Sequence, residues 1–381
     1  MMSNVRINKI LIWGLFVAII AGALMWWGGR GSAVPSDQET FKIGGAFALT
    51  GFASEWGTAD LNGATLAIEE ANQQGGINGK QVKLIVEDIT SDSPKVISAV
   101  QKLINVDQVE VIIGPTWFDT FAGAAPLADQ NQVVMLTPSG VITAIQSTQD
   151  HQYAFSTYFL SDTETEALVN YLVRRNQKKV ALIFENESFW QDFARLFKEN
   201  AQKAGVEVVA DMKLSAQDTD FRTPLAQLKT MNPDAIVFGF ANENSQLGFL
   251  KQRAEVYPEA VLYTNESMEA FATKESYRGL LTNVAFIAPK VDVPDFKQKY
   301  KDRFGVEAVF TAPNAYDATN IVLKALAAGY VQGHEIQEYL SGTTFDTVTF
   351  GPVEFDDLGG VRGGSFHVSL IQDNKVIPQN D

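Results

Sequence analysis

The feature that most constrains this chain is a rhythm of short apolar runs alternating with amphipathic segments, and it occurs twice. Phe41–Phe47, Val82–Val86, Val111–Ile113 and Val133–Leu136 read as strands. The first intervening helix keeps Leu61, Ala64, Ile68 and Ala71 on one face and stops at Gly75-Gly76. Ser93-Pro94 supplies an N-cap and a first-turn proline for a helix to about Val106, and a third helix covers about Asp119–Asn131. After Tyr153–Phe159 the rhythm restarts. Helices at Ser161–Arg174, Phe189–Ala204 and Phe221–Met231 alternate with strands at Val180–Phe184, Val206–Met212, Ala235–Phe240 and Val261–Tyr263. Each series can build a parallel sheet with helices on both faces, so the expected class is α/β. With 381 residues, 46% of them hydrophobic, the chain has core material for two such bodies. The patterns Asp107–Gly114 and Asp234–Gly239 both run acid, apolar strand, glycine, a weak internal similarity. The tail differs: helices at Pro294–Phe304, Ala312–Ala328 and about His334–Leu340 precede short strands at Thr347–Phe350, Val353–Phe355 and Phe366–Ile371.

Ahead of residue 41 the chemistry changes. Arg6 and Lys9 precede a strongly apolar run of 18 residues, Ile10 to Trp27. At about 1.5 Å per residue this spans about 27 Å, close to one bilayer core. Trp26 and Trp27 close the run as interfacial aromatics do, and the two cations keep the N-terminus in the cytoplasm. Residues 1–9 therefore read as a cytoplasmic n-region, 10–27 as a signal anchor or transmembrane helix, and the Gly, Ser, Pro and charge of 28–40 as a tether. Cleavage after Ala33, in Gly31-Ser32-Ala33, is the competing reading. Both put the folded body outside the cytoplasm: held at the cell membrane, or released as a periplasmic or secreted protein.

Several function classes drop out. The net charge of −15 opposes a phosphate-tracking nucleic-acid binder. There is no cysteine, which excludes disulfides, thiolate metal sites and a cysteine nucleophile. His151, His334 and His367 share no metal-ligand spacing, so neither a metal nor a cofactor is expected. No G-x-S-x-G elbow, Walker-A loop or post-strand G-x-G-x-x-G is present. Glu69-Glu70 and Asp356-Asp357 fall on a helix face and a turn, where solvation is the default. The expectation is a protein without catalytic chemistry.

The stretch Ile43–Asn72, then Gly75-Gly76-Ile77-Asn78-Gly79, then a strand ending Glu87-Asp88, resembles the start of a type I periplasmic binding protein, nearest to the leucine/isoleucine/valine-binding branch. Ile112-Ile113-Gly114-Pro115, Thr137-Pro138-Ser139, Asp162 with Glu164, and Gly351-Pro352-Val353-Glu354-Phe355-Asp356 before Gly359-Gly360 continue the likeness in the right order, over about residues 41–372. The resemblance implies two Rossmann-like parallel-sheet lobes joined by a three-strand hinge. The first lobe would take 41–158 and 288–362, the second 159–287 and 363–381. It also implies an inner-membrane ABC permease as partner, beside a small-molecule ligand; a monomer is expected.

Carried over residue by residue, the resemblance puts Trp56 where the family has a ligand-stacking aromatic. Phe118, beside Trp117, replaces a serine that holds an amino-acid carboxylate, and Val141 replaces a threonine. Ser139 and Gly140 belong to the same loop. On the second lobe Phe189 and Trp190 stand in for a Tyr-Gly pair, Phe240 follows a strand, and Glu266 sits where amino-acid binders place an acid against the ammonium. The expected ligand site is thus Trp56, Trp117, Phe118, Ser139, Gly140, Phe189, Trp190, Phe240 and Glu266. With two hydroxyl donors missing, a plain α-amino acid is disfavoured. The aromatic wall suits an amide, an amine, an aromatic compound or an amino-acid-like solute. Capture for transport is the expected function. A ligand-sensing receptor signalling through a partner protein is the alternative, and an α/β hydrolase is a weaker one.

Overall fold

The computed structural model describes residues 40–381 except 92, 143–150, 160, 273, 291–292, 363, 373–374 and 380–381. The expected signal anchor and most of the tether, residues 1–39, lie outside the described residues. Among the described residues no helix is long and apolar enough to cross a membrane.

The first βα series is β1 (Phe41–Phe47), α1 (Ser54–Gln73), β2 (Val82–Asp88), α2 (Ser93–Asn105), β3 (Val111–Ile113), α3 (Phe118–Asn131), β4 (Val134–Thr137) and β5 (Ala154–Phe159). The second is α4 (Ser161–Arg174), β6 (Lys179–Glu185), α5 (Ser188–Ala204), β7 (Glu207–Leu214), α6 (Arg222–Met231), β8 (Ala235–Gly239), α7 (Glu243–Val256), β9 (Leu262–Thr264), α8 (Met268–Ala272) and β10 (Val284–Pro289). The tail adds α9 (Pro294–Phe304), α10 (Thr311–Ala327), α11 (Gly333–Ser341), β11 (Phe345–Thr347), β12 (Gly351–Phe355), β13 (Gly360–Arg362), β14 (Phe366–Gln372) and β15 (Lys375–Pro378).

Two sheets result. Their strand orders are β11-β12-β13-β5-β4-β3-β1-β2 and β15-β14-β10-β9-β8-β6-β7. Within each, the five strands of the βα series run parallel in the order second, first, third, fourth, fifth. The chain passes between the sheets three times: from Phe159 to Ser161, from Pro289 to Pro294 and from Arg362 to Phe366.

The sheets are mixed, not wholly parallel as expected. β12 is antiparallel to β11 and β13, and β14 is antiparallel to β10 and β15. β11, β12 and β13 follow one another closely in the chain, as do β14 and β15, and a short turn can join only antiparallel neighbours. Strands β10, β13 and β15 have no counterpart in the sequence reading. Its strand at Thr347–Phe350 is also displaced: β11 ends at Thr347. The buried Asp317 carboxylate accepts the Val348 and Thr349 amides at 2.8 and 2.9 Å, together with the Thr349 hydroxyl, and so holds the next residues in a turn.

The tail is locked to the first sheet by a close helix pair. A Cβ on Gly63, in α1, would lie 2.2 Å from the Ala312 carbonyl oxygen, in α10. The missing side chain therefore lets two backbones meet. Gly63→Ala should force them apart and destabilise the protein by about 1–3 kcal/mol. A urea-unfolding midpoint equal to that of the parent protein would refute this account of the pair.

Candidate ligand-binding site

In an open parallel sheet the loops beyond the carboxyl ends of the strands gather where the strand order reverses. Both sheets supply such loops to one cavity. From the first sheet come Trp56 on the first turn of α1, Trp117 and Phe118 after β3, Ser139 and Val141 after β4, and Tyr158 from β5. From the second come Phe189 and Trp190 after β6, Phe240 and Ala241 after β8, and Asn265, Glu266, Ser267 and Phe271 after β9. Phe310 and Thr311, where α10 begins, complete the wall. Nine of the sixteen lining residues are aromatic, and none is Lys, Arg or His.

Eight of the nine residues singled out from the sequence line this cavity: Trp56, Trp117, Phe118, Ser139, Phe189, Trp190, Phe240 and Glu266. Gly140 does not. It lies behind the wall, where its carbonyl accepts the Ser156 hydroxyl at 2.6 Å. Val141 lines the space at the position already noted for its missing hydroxyl. Ala241, Asn265 and Ser267 are chain neighbours of expected residues. Tyr158, Phe271, Phe310 and Thr311 are new. Tyr158 had read as a strand residue, and the other three are brought in by packing that no local pattern encodes.

Local constraints aim the rings. Trp117 adopts φ 76° and ψ 150°, a backbone region that a bulky residue rarely occupies. Its N–H donates to the Ser139 hydroxyl at 3.3 Å and its carbonyl accepts the Thr120 hydroxyl at 2.9 Å. Its indole packs on Trp56 at 4.9 Å and edge-on against the exposed Phe52 at 5.2 Å. Trp190 stacks on Phe184 at 5.3 Å. A Cβ on Gly239 would lie 2.4 Å from the Trp190 ring, so a glycine at the end of β8 is what admits that indole. Glu185 accepts the amides of Ala241 and Asn242 at 3.1 and 3.3 Å, fixing the loop after β8. The Asn265 side chain accepts the Ser267 N–H at 3.3 Å and hydroxyl at 2.6 Å, folding the loop that presents Glu266.

The charged group on the lining is an acid. Glu266 is buried, and one of its oxygens accepts the Tyr158 hydroxyl. Glu164 of α4, also buried, interacts with it. Two ionised carboxylates can only accept, so this pair is satisfied only while one of them carries a proton. Burial, reinforced by the charge of Glu266, pushes Glu164 well above the usual carboxylate range. Burial raises Glu266 to about 7, against the opposing hydrogen bond from Tyr158. On the opposite side Asp60, buried in α1, accepts the Thr116 hydroxyl at 2.7 Å and the Ser139 hydroxyl at 2.9 Å. Burial lifts Asp60 to about 7 as well. Glu187 caps α5 at the Trp190 N–H, 3.4 Å away, and is raised to about 7 by burial and then by Asp119. Among the described residues no group of three His, Asp or Glu side chains is placed to hold a metal.

These acids link stability to pH. Between about pH 4 and 7 the unfolded chain has released protons that Asp60, Glu266 and Glu187 still hold when folded, so stability falls as pH rises through that window. The melting temperature should be lower at pH 8 than at pH 5. Asp60→Asn, which keeps an acceptor for Thr116 and Ser139, should flatten the decline. Parallel pH profiles for the two proteins would show that Asp60 does not bind a proton on folding.

Residues 40–364 match the family model described as "Periplasmic binding protein". A leucine-, isoleucine-, valine-, threonine- and alanine-binding protein of Pseudomonas aeruginosa is 27% identical over 345 residues, covering 87% of this chain and 89% of that protein. The structure of a branched-chain amino acid transporter substrate-binding protein from Streptococcus pneumoniae, in complex with isoleucine, superposes with a TM-score of 0.77 at 27% identity, covering 89% of this chain and 98% of that one. A solute-binding protein of an ABC transporter from Rhodopseudomonas palustris, in complex with 3,4-dihydroxybenzoic acid, shares the fold at a TM-score of 0.76 and 22% identity, over 89% of this chain and 96% of that one. This chain belongs to the periplasmic binding protein family, the family of the leucine/isoleucine/valine-binding proteins of ABC transporters: a binding protein and not an enzyme.

Proposed function

We propose that this protein captures a small organic solute between two closing lobes outside the cytoplasm and delivers it to an ABC permease. One observation carries the reading: the carboxyl edges of both sheets line a single aromatic cavity that holds one buried acid, Glu266. Cross-cavity contacts fit closure. The Tyr158 hydroxyl, from the first sheet, donates to Glu266, from the second, and Lys274 reaches Glu55 at 3.6 Å. The lobes are 41–158 with 288–362 and 159–287 with 363–381, and the three crossovers act as the hinge. The nine residues singled out from the sequence, Gly140 as support, form the grip on the solute. Residues 10–27 anchor the body to the membrane and 28–40 let it reach the permease; cleavage after Ala33 would release it instead.

A second reading, a branched-chain amino acid as the solute, is favoured by the names and the bound isoleucine of the relatives. It meets an obstacle in this cavity. Phe118 and Val141 stand where the resemblance places hydroxyl donors, and the Ser139 hydroxyl already donates to Asp60.

Saturating ligand raises the melting temperature by linkage, about 2.7 kcal/mol of stability at a hundredfold excess over Kd. Millimolar leucine should leave the melting temperature unchanged; a rise of several degrees would establish the branched-chain reading. For any solute that does raise it, Trp56→Ala should weaken binding at least about tenfold, the scale of one lost aromatic contact. Unchanged affinity in a calorimetric titration would remove Trp56 from the site.

A further inference from the structure

We infer that the solute is an organic cation without a carboxylate: an amine with a flat or branched apolar body and, at most, a neutral oxygen. This rests on the solute-binding reading above and narrows it to a chemical class.

The inference follows from which hydrogens and charges the cavity has left to offer. Four lining residues carry hydroxyls, and each is already a donor to the protein. Tyr158 donates to Glu266, Ser139 to Asp60 at 2.9 Å, Ser267 to the Asn265 side chain at 2.6 Å, and Thr311 to the Trp56 carbonyl at 3.4 Å. A solute carboxylate would find none of these hydroxyls free. It would also find no cation on the lining, while facing the Glu266 carboxylate. Like charges confined in a dry site repel strongly.

A cation meets the opposite situation. Glu266 is the one acid on the lining, and its carboxylate can accept an N–H from an ammonium group. Aromatic faces attract the same charge through their quadrupoles, and nine aromatic residues line the space. The Trp56 indole N–H, buried and without a partner, suits a neutral acceptor such as an amide carbonyl or a hydroxyl. An ammonium bound at Glu266 would take the place of the proton that the Glu164–Glu266 pair otherwise keeps.

The test is isothermal titration of the full chain at pH 7.5 with two matched series. One is leucine, leucinamide and 3-methylbutylamine; the other is phenylalanine, phenylalaninamide and 2-phenylethylamine. In at least one series the amide and the amine should bind at least tenfold more tightly than the parent amino acid, and Glu266→Gln should erase that advantage. If that variant does not fold, the wild-type order of amide, amine and acid decides the question. An amino acid binding as tightly as its amide or more so in both series would overturn the cation class while leaving solute capture intact. A cation preference that survives Glu266→Gln in a folded variant would overturn the role of Glu266. Failure of all six compounds to bind would overturn the cation class while leaving solute capture intact.

Discussion

The direction of the strands governs what this molecule can do. Parallel strands deliver their side chains and loops to one edge of a sheet, and the order second, first, third, fourth, fifth opens a crevice where the winding reverses. That order occurs in both sheets, between β1 and β3 and between β6 and β8. The loops at these reversals carry Trp56, Trp117 and Phe118 on one side and Phe189, Trp190 and Phe240 on the other. The three tryptophans of the described residues therefore all stand at the cavity.

The second constraint is the burial of acids beside those rings. A buried polar group left without a partner costs about 1–3 kcal/mol, and this site holds two: an oxygen of Asp60 and the Trp56 indole N–H. Trp117 adds backbone strain of about the same size. Such features are unfavourable unless a complementary group meets them. The hydrogen bond from Tyr158 to Glu266 joins the two sheets at the same place, so the group that would read the solute also takes part in the contact between the halves.

Much of this was legible in the sequence because it depends on local patterns. The helices Ser161–Arg174 and Pro294–Phe304 have the same bounds in both readings, and a first-turn proline marks the start of the second. Aromatic residues in post-strand loops were recognisable as cavity candidates because strand polarity dictates where such loops go. What was not legible depends on distant packing. Asp60 sits on a helix face that could equally have met solvent; its burial comes from α10 and the loops after β3 and β4. Glu164 looks like an ordinary first-turn acid until the Glu266 loop folds onto it. Phe271 and Phe310 lie in segments without a clear period. The antiparallel ends of the sheets were missed because β13 and β15 are three and four residues long, too short for an alternation to register.

The most direct examination of this account is the electron density of the full chain crystallised with a solute that it binds. The account predicts the solute in the cavity between the two sheets, with a nitrogen about 3 Å from a Glu266 oxygen and its apolar body among the rings of Trp56, Trp117 and Phe240. A solute lying elsewhere on the protein, or one whose carboxylate takes the Ser139 hydroxyl from Asp60, would contradict it.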